Sequence, residues 1–555
     1  MNSLHFLLFL SVSALAAGLA TLHSSKRCQE IEAQLRTPDG KSPCGCAPRF
    51  HGGQNASEEV GDVEIVCRGA TLPEIFAALR SPPEVLEIRR LSIWNSQMTS
   101  LPAGIFAKVR PQDLSISLSS LATIRPHAFD EVAHRLVNLT LNGNLLSSVD
   151  SSAFKILSLQ HLSMANNKLE VLDLSAFVGM SWLKTIRLQK NRIRNILPRP
   201  GDFFHLKHVE LLDLSDNRIE TIGRLSSNGL PALKTLNLAN NRIKRVGNSL
   251  HKEMPKLEEL NLNNNTLQNI SLLKLPNLRR LSLNRNQFSE LGKIELSDLP
   301  SLHTFQLDNN RLSSIKNGVL SRICLDSSLR SLYLNNNTIS EIGIEAFSSC
   351  THLRSLFLDH NRLESLRGRV QYGNATIPWL YPLKELEYFS VASNRLSAIR
   401  RRDLNAGPKL RQVFLDHNEI ESVEAGALDG LELDLLFLQN NRLRSLPAGL
   451  FDDLNTKNVL EVNLQSNNFP CTCNDSWIGR WYQQFETAAY FFDCRPEAFA
   501  ECPTPSHPLI AWLGALLAAC SLIFLLLIGF LHFKPNKWTK QPLNSETDEI
   551  QLIGR

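Results

Sequence analysis

Two short segments, Phe357 to Asn361 and Phe414 to Asn418, each carry an Asp-His pair, Asp359-His360 and Asp416-His417. A carboxylate beside an imidazole can pass a proton, serve as acid and base near neutral pH, or supply two ligands to a divalent metal. Either chemistry needs a third group at fixed distance. The remaining histidines are scattered, and there is no glycine-rich phosphate cradle before a helix and no nucleophile signature. The pairs therefore read as solvated strand-edge residues, and no catalytic residue, metal ligand or cofactor is assigned. Cysteine offers a second chemistry. Cys28, Cys44, Cys46 and Cys67 lie near the start, Cys471, Cys473, Cys494 and Cys502 near the end, with Cys324 and Cys350 between them and Cys520 beyond. Cys-x-Cys can hold a metal, but in an oxidising compartment even-numbered groups form disulfides, and the second reading is preferred here.

The elements that position these residues follow from a period. Asparagine recurs at Asn144, Asn167, Asn191, Asn217, Asn241 and nine later positions through Asn467, mostly about 24 residues apart. Each sits in one frame of apolar residues, clearest in Leu233, Leu236, Leu238, Asn241 and Ile243. A coil of that length cannot bury its own apolar edge, so its leucines gain burial only when the next coil stacks on them. The asparagine amide both donates and accepts, so it can pair backbone groups that the turn out of the strand leaves open. Two earlier coils keep the apolar spacing but place Ser96 and Ser119 at the ladder position, giving about sixteen coils in all.

This frame resembles the leucine-rich repeat, which implies an α/β solenoid with a parallel sheet on its concave face. The sequence Asn467 to Cys473, followed by Trp477 and Trp481, resembles the C-terminal cysteine cap of extracellular members. That resemblance implies Cys471 paired with Cys494 and Cys473 with Cys502; the front group resembles the matching N-terminal cap, with its pairing left open. Stacking of neighbouring coils would bring Cys324 to Cys350. The likeness extends to Toll-like receptor ectodomains and to adhesion proteins of the chaoptin and connectin type, spanning residues 28–533.

Hydropathy supplies the topology. An apolar run from Phe6 to Ala20 reads as a signal peptide over residues 1–20. Leu509 to Leu531 carries no charge and is long enough, at about 1.5 Å per residue, to span a hydrocarbon core of about 30 Å. Lys534, Lys537 and Lys540 follow it, which places the C-terminus in the cytosol and predicts a single-pass plasma-membrane protein with its N-terminus outside. The expected organisation is signal peptide 1–20, N-terminal cap 28–67, solenoid 86–469, C-terminal cap 471–502, transmembrane helix 509–531 and cytoplasmic tail 534–555. The tail is too short to fold alone, which excludes a kinase or Toll-type signalling domain. Its Asp548, Leu552 and Ile553 resemble the acidic dileucine signal read by clathrin adaptors, implying endosomal cycling. A net charge of +5 with acids and bases interleaved argues against nucleic acid as a partner.

Strand alternation locates a binding face. The residue between the second and third frame leucines points to solvent on the concave side. That position is Tyr333, Phe357, Phe414 and Phe437 in four of five consecutive coils; the fifth has Ser390, but Tyr388 shares its face. With Asp359 and Asp416 alongside, these residues form the candidate site for a protein ligand, since contiguous exposed aromatics are unusual without a partner. Covering one another in the sheet is the plainer reading. Sequons stand at Asn55, Asn138, Asn264, Asn269, Asn336, Asn374 and Asn474. A glycan on Asn138 would block part of the concave sheet. The longest gap between ladder asparagines, Asn361 to Asn394, holds an insertion from Gly368 to Pro382 with Tyr372, Trp379 and Tyr381, expected to cover a flank. The whole predicts a non-enzymatic cell-surface recognition protein, an adhesion molecule or co-receptor. The alternative is a docking subunit for an extracellular enzyme, by resemblance to the non-catalytic subunit of a shrimp luciferase.

Overall fold

The structure is a computed structural model and describes residues 26–37, 39–48, 63–177, 179–197, 206–222, 230–247, 250–325, 328–369, 376–404, 407–452, 454, 459–484, 491–502, 516–517 and 519–523. The expected signal peptide, most of 509–531, the tail with Asp548, Leu552 and Ile553, and the sequons Asn55 and Asn374 lie outside the described residues. Among the described residues no helix is long and apolar enough to cross a membrane.

The frame leucines build a solenoid. Short strands such as Thr235–Asn237, Glu259–Asn261 and Ser331–Tyr333 stack in parallel within one sheet that has 18 strands among the described residues. In each strand the central residue, Leu236, Leu260 or Leu332, is buried and its two neighbours face outward. One continuous apolar core runs from Cys28 to Cys494. On its outer side Phe106, Phe129 and Phe154 stack through successive coils with ring centres 6.1 and 5.7 Å apart.

Each coil leaves its strand through a left-handed residue placed immediately before the ladder asparagine. Sixteen such residues have positive φ; the fifteen that are not glycine, from Asn95 to Ser466, lie between 50° and 58°, and Gly143 is at 68°. Asparagine, aspartate, glycine and histidine tolerate that region best, which explains Asn166, Asp216, Asn240 and Asn309 there. The ladder asparagine then closes the turn. The Asn241 amide donates to the carbonyls of Leu214 (2.9 Å) and Leu238 (3.1 Å), and its oxygen accepts the Ile219 N–H (3.0 Å). Ser119 does less: its hydroxyl donates to Ser117 in its own coil and accepts the Ser96 N–H at 3.3 Å. Asn241→Ala should therefore lower stability by about 2–3 kcal/mol, because it strands a buried N–H and two carbonyls, whereas Asn241→Ser should restore part of it. Urea unfolding of the two variants measures this; equal midpoints for alanine and asparagine would refute it.

Both ends are closed by disulfide caps. At the front, strand Cys44–Pro48 pairs antiparallel with Val63–Arg68; Cys44–Cys67 joins the two strands, and Cys28–Cys46 ties them to the helix Lys26–Gln34. At the rear, Cys471–Cys494 and Cys473–Cys502 bracket the helix Ser476–Tyr482. That helix seats Trp481 on Phe451, with ring centres 4.7 Å apart, and its Tyr482 hydroxyl donates to the Val462 carbonyl of the last coil. Cys324 and Cys350 bridge neighbouring coils with Cα atoms 4.8 Å apart.

The insertion lies on the flank. Arg367–Arg369 pairs antiparallel with Thr376–Pro378, and Gly368 lies so close to the Ile342 carbonyl and Ile344 of the preceding coil's outer edge that a Cβ would not fit. Trp379 turns inward and is fully buried between Phe347 and Phe389, with ring centres 5.8 and 6.0 Å away. Arg367 forms an ion pair with Asp403, whose side chain is almost wholly buried. Tyr381 stays outside and carries the Lys384 ammonium over its ring at 3.9 Å; Tyr372 lies outside the described residues.

Candidate functional site

Parallel pairing fixes which side chains become neighbours on the concave face. Tyr333, Phe357, Ser390, Phe414 and Phe437 stand in one register column, while Tyr388 stands one pleat earlier, level with Ser355 and Gln412. Ser390 is small and buried, and its hydroxyl donates to Asp359, so the column has a gap at its centre. Tyr388 fills the gap. Its ring lies 4.7 Å from Phe357 and 5.0 Å from Phe414; Tyr333 lies 4.3 Å from Phe357, and Phe437 lies 4.9 Å from Phe414. These separations match the strand spacing of about 4.8 Å, so the five rings form one unbroken row.

Orientation decides what the row offers. Tyr333 and Phe357 are nearly parallel at 6°, and Tyr388 is tilted by 36° and 29° from its neighbours, so these ring faces are spent largely on one another. Phe437 stands at 80° to Phe414, edge to face, so mutual face covering is confined to the Tyr333 to Phe414 part of the row. All five residues are half-buried rather than fully exposed, as mutual covering requires. The row ends at Phe437, whose neighbour on the next strand, Glu461–Asn463, is the polar Asn463.

Asp359 departs from the expectation of a solvated carboxylate. It accepts the Ser390 hydroxyl and the Ala392 N–H (2.9 Å), and burial raises its pKa above the usual carboxylate range, with the Asp416 charge adding to the rise and those hydrogen bonds opposing it. Asp416 bonds its own neighbour His417 at 2.9 Å. His360 and His417 are both at the left-handed turn position, φ 55° and 54°, so turn geometry accounts for a histidine there. The two Asp-His pairs thus belong to different coils, with each histidine at the turn and Asp359 bonded to the next coil.

Asp308 was not legible as a site residue. Its carboxylate accepts the Asn335 N–H at 2.8 Å, and burial pushes its pKa up to about 6, helped by the Asp359 charge. The signal that could have found it is position: Asp308, Asn335, Asp359 and Asp416 each stand two residues before a ladder asparagine. A carboxyl whose pKa is raised on folding binds its proton more tightly in the folded state. Its contribution is fully present below the ordinary carboxyl pKa and is lost as pH rises through about 6. Asp308→Asn should therefore gain on the order of 1–2 kcal/mol relative to the parent at pH 7.5 and show no advantage at pH 4. Thermal unfolding at the two pH values measures the difference, and a gain of the same size at both would refute it.

Tyr388, between the two aspartates, has its phenol pKa raised by burial and then by the Asp359 and Asp416 charges. On the other side of Tyr388 a groove of about 440 Å³ is lined by Glu387, Lys409, Arg411 and Asp434. A larger cleft of about 800 Å³ near the front of the solenoid, containing Arg135 and Trp182, is mostly polar. Arg135 there already pairs with Glu87 (2.9 Å) and the Arg110 carbonyl (3.1 Å), so the cleft offers less apolar surface than the ring row.

The sequons fall in distinct settings. Asn138 lies on the concave strand Asn138–Thr140, where its amide donates to Asp113, a buried carboxylate that also meets Arg89 and Arg90 at 3.5 and 3.4 Å. Asn264 and Asn336 are exposed at left-handed turn positions, and Asn269 and Asn474 are exposed. Asn336 stands at the edge of the ring row.

Comparison with known proteins agrees with this architecture. Residues 134–193, 183–243, 231–288, 327–381 and 384–443 match the leucine rich repeat family. P-granule-associated novel protein 1 of Caenorhabditis elegans is 32% identical over 163 residues, which is 29% of this chain and 27% of that protein. Human leucine-rich repeats and immunoglobulin-like domains protein 1 is 33% identical over 110 residues, 20% of this chain and 9% of that one. The chain thus matches about a quarter or less of the length of these relatives. Among solved structures, Drosophila Toll in its complex with Spatzle superposes with a TM-score of 0.51 at 19% identity, covering 82% of this chain and 71% of that one, a likeness of fold alone.

Proposed function

We propose that this leucine-rich repeat protein is a cell-surface recognition molecule, an adhesion protein or co-receptor, that binds another protein on the concave face of coils 331–437. The observation that carries the reading is the five-ring row from Tyr333 to Phe437, a contiguous aromatic surface on a rigid sheet. Aromatic residues are enriched in protein interfaces because they add large contact area at low entropic cost. Toll, a chain of the same fold, is seen in complex with the protein Spatzle, which is the kind of partner the reading expects. Catalysis is not part of the proposal: the two Asp-His pairs lie in different coils, and each histidine's position follows from the left-handed turn.

The test is proximity labelling from the full-length protein on living cells, with mass spectrometry of its neighbours. Enrichment of a surface receptor or adhesion protein supports the reading, and enrichment of a secreted enzyme would replace it by the docking-subunit role. The tail belongs to the same proposal as a cytosolic sorting signal. Leu552→Ala with Ile553→Ala should raise the surface level about two-fold or more by slowing uptake, and unchanged antibody uptake would remove the sorting role.

A further inference from the structure

The ring row is flanked by charges that the fold does not need. Two residues before the ladder asparagine, each coil can place a side-chain oxygen on the next coil's backbone, and neutral asparagine does this repeatedly. Asn142 accepts the Ala165 N–H (2.8 Å), Asn263 the Asn284 N–H (2.7 Å), Asn284 the Asp308 N–H (2.7 Å) and Asn335 the Asp359 N–H (2.8 Å). Asp308 and Asp359 make the same bond to Asn335 and Ala392 with a carboxylate. An amide oxygen would serve equally and would avoid both the desolvation of a charge and the mutual repulsion that raise these carboxyls. Among the described residues no lysine or arginine pairs with Asp308, Asp359 or Asp416. Elsewhere on the same sheet face the charges are paired, as in Lys234–Glu210, Arg280–Glu259 and Arg354–Glu387.

The three aspartates recur at every second coil, so at about 4.8 Å per strand they stand about 10 Å apart along the solenoid axis. Cations spaced to meet them cannot come from adjacent residues on one side of a β-strand, where the repeat is about 6.8 Å, nor from single helical turns of about 5.4 Å. A polyproline II segment rises about 3.1 Å per residue and returns every third side chain to one face, which gives about 9.3 Å. Such segments dock on aromatic-lined surfaces through their rings and aliphatic stems. From Tyr333 to Phe414 the ring faces lie largely against one another, so the carboxylates are the seats for positive charge along that stretch.

Resting on the concave-face reading, we propose that the partner docks through an extended, proline-rich basic segment, with lysine or arginine at every third residue seated on Asp308, Asp359 and Asp416 and its apolar side chains on the row Tyr333 to Phe437.

Two synthetic peptides of identical composition test this against the full-length chain by fluorescence anisotropy. One carries arginine at every third position in a proline-rich background and the other carries the same arginines consecutively. The spaced peptide is expected to bind at least 10-fold more tightly, to weaken with added salt, and to lose at least 10-fold in the triple variant Asp308→Asn, Asp359→Asn, Asp416→Asn, which keeps the backbone bonds and removes the charge. Equal binding of the two peptides to the unaltered chain, or no loss in the triple variant, would overturn the inference. Capture of the cell-surface partner separates the two levels of the argument. If the triple variant retains capture while Phe357→Glu with Phe414→Glu loses it, the basic segment is wrong and the concave face stands. If both retain capture, both are wrong.

Discussion

Replacing Trp379 by alanine is expected to remove about 3–5 kcal/mol of stability, among the largest losses from a single substitution in this chain. Trp379 has no exposed surface and touches Phe347 of one coil and Phe389 of another, so it fills the space that the insertion opens in the stack. The coils can close only partly over the cavity, because Gly368 and the Arg367–Asp403 ion pair hold the hairpin strand in place. In a solenoid each coil depends on its neighbours, so the damage should be local. Limited proteolysis should cut first near residues 363–386, and the thermal midpoint should fall, while Trp379→Phe should recover most of the loss. A variant that melts and resists protease like the parent would place Trp379 outside the core.

Phe357→Glu combined with Phe414→Glu should abolish partner capture, lowering affinity by at least about 100-fold, while the chain still folds and reaches the surface. Buried aromatic anchors at interfaces are worth about 2 kcal/mol or more each on truncation, and an unpaired carboxylate in their place adds a desolvation penalty. Both rings contact Tyr388, so the two substitutions break the row at its centre and their effects should not simply add. The cost to folding is smaller. The positions are half-buried strand residues pointing away from the leucine core, and each lost ring stack is worth about 0.5–1.5 kcal/mol. Normal surface level with lost capture is the expected pair of results; retained capture contradicts the site.

The parts of this structure legible in the sequence are those written as a period. The ladder asparagines and the frame leucines recur in every coil, so their burial follows from repetition, and the ring column follows from strand alternation. Even Tyr388 could be placed, because the side chain one pleat from Ser390 shares its face. What escaped depends on contacts between coils. Asp308 carries no local signal of burial, because its carboxylate is set by the neighbouring coil's Asn335 N–H and the closeness of Asp359. His360 and His417 invited a chemical reading because the left-handed turn before each ladder asparagine shows up only in the backbone angles. Trp379 read as part of a surface excursion. Its burial is set by Phe347 and Phe389, which no local pattern links to it.

The concave recognition face is tested most directly by site-specific photocrosslinking on living cells. A photoreactive residue at Gln412 sits on the concave strand Gln412–Phe414 beside Tyr388, whereas the same residue at Ser422 sits exposed in the strand Ser422–Val423, outside the concave sheet in the same coil. Capture of one protein from Gln412 and none from Ser422 is the expected result. Equal capture from both positions, or capture from Ser422 alone, would contradict a partner bound on the ring row.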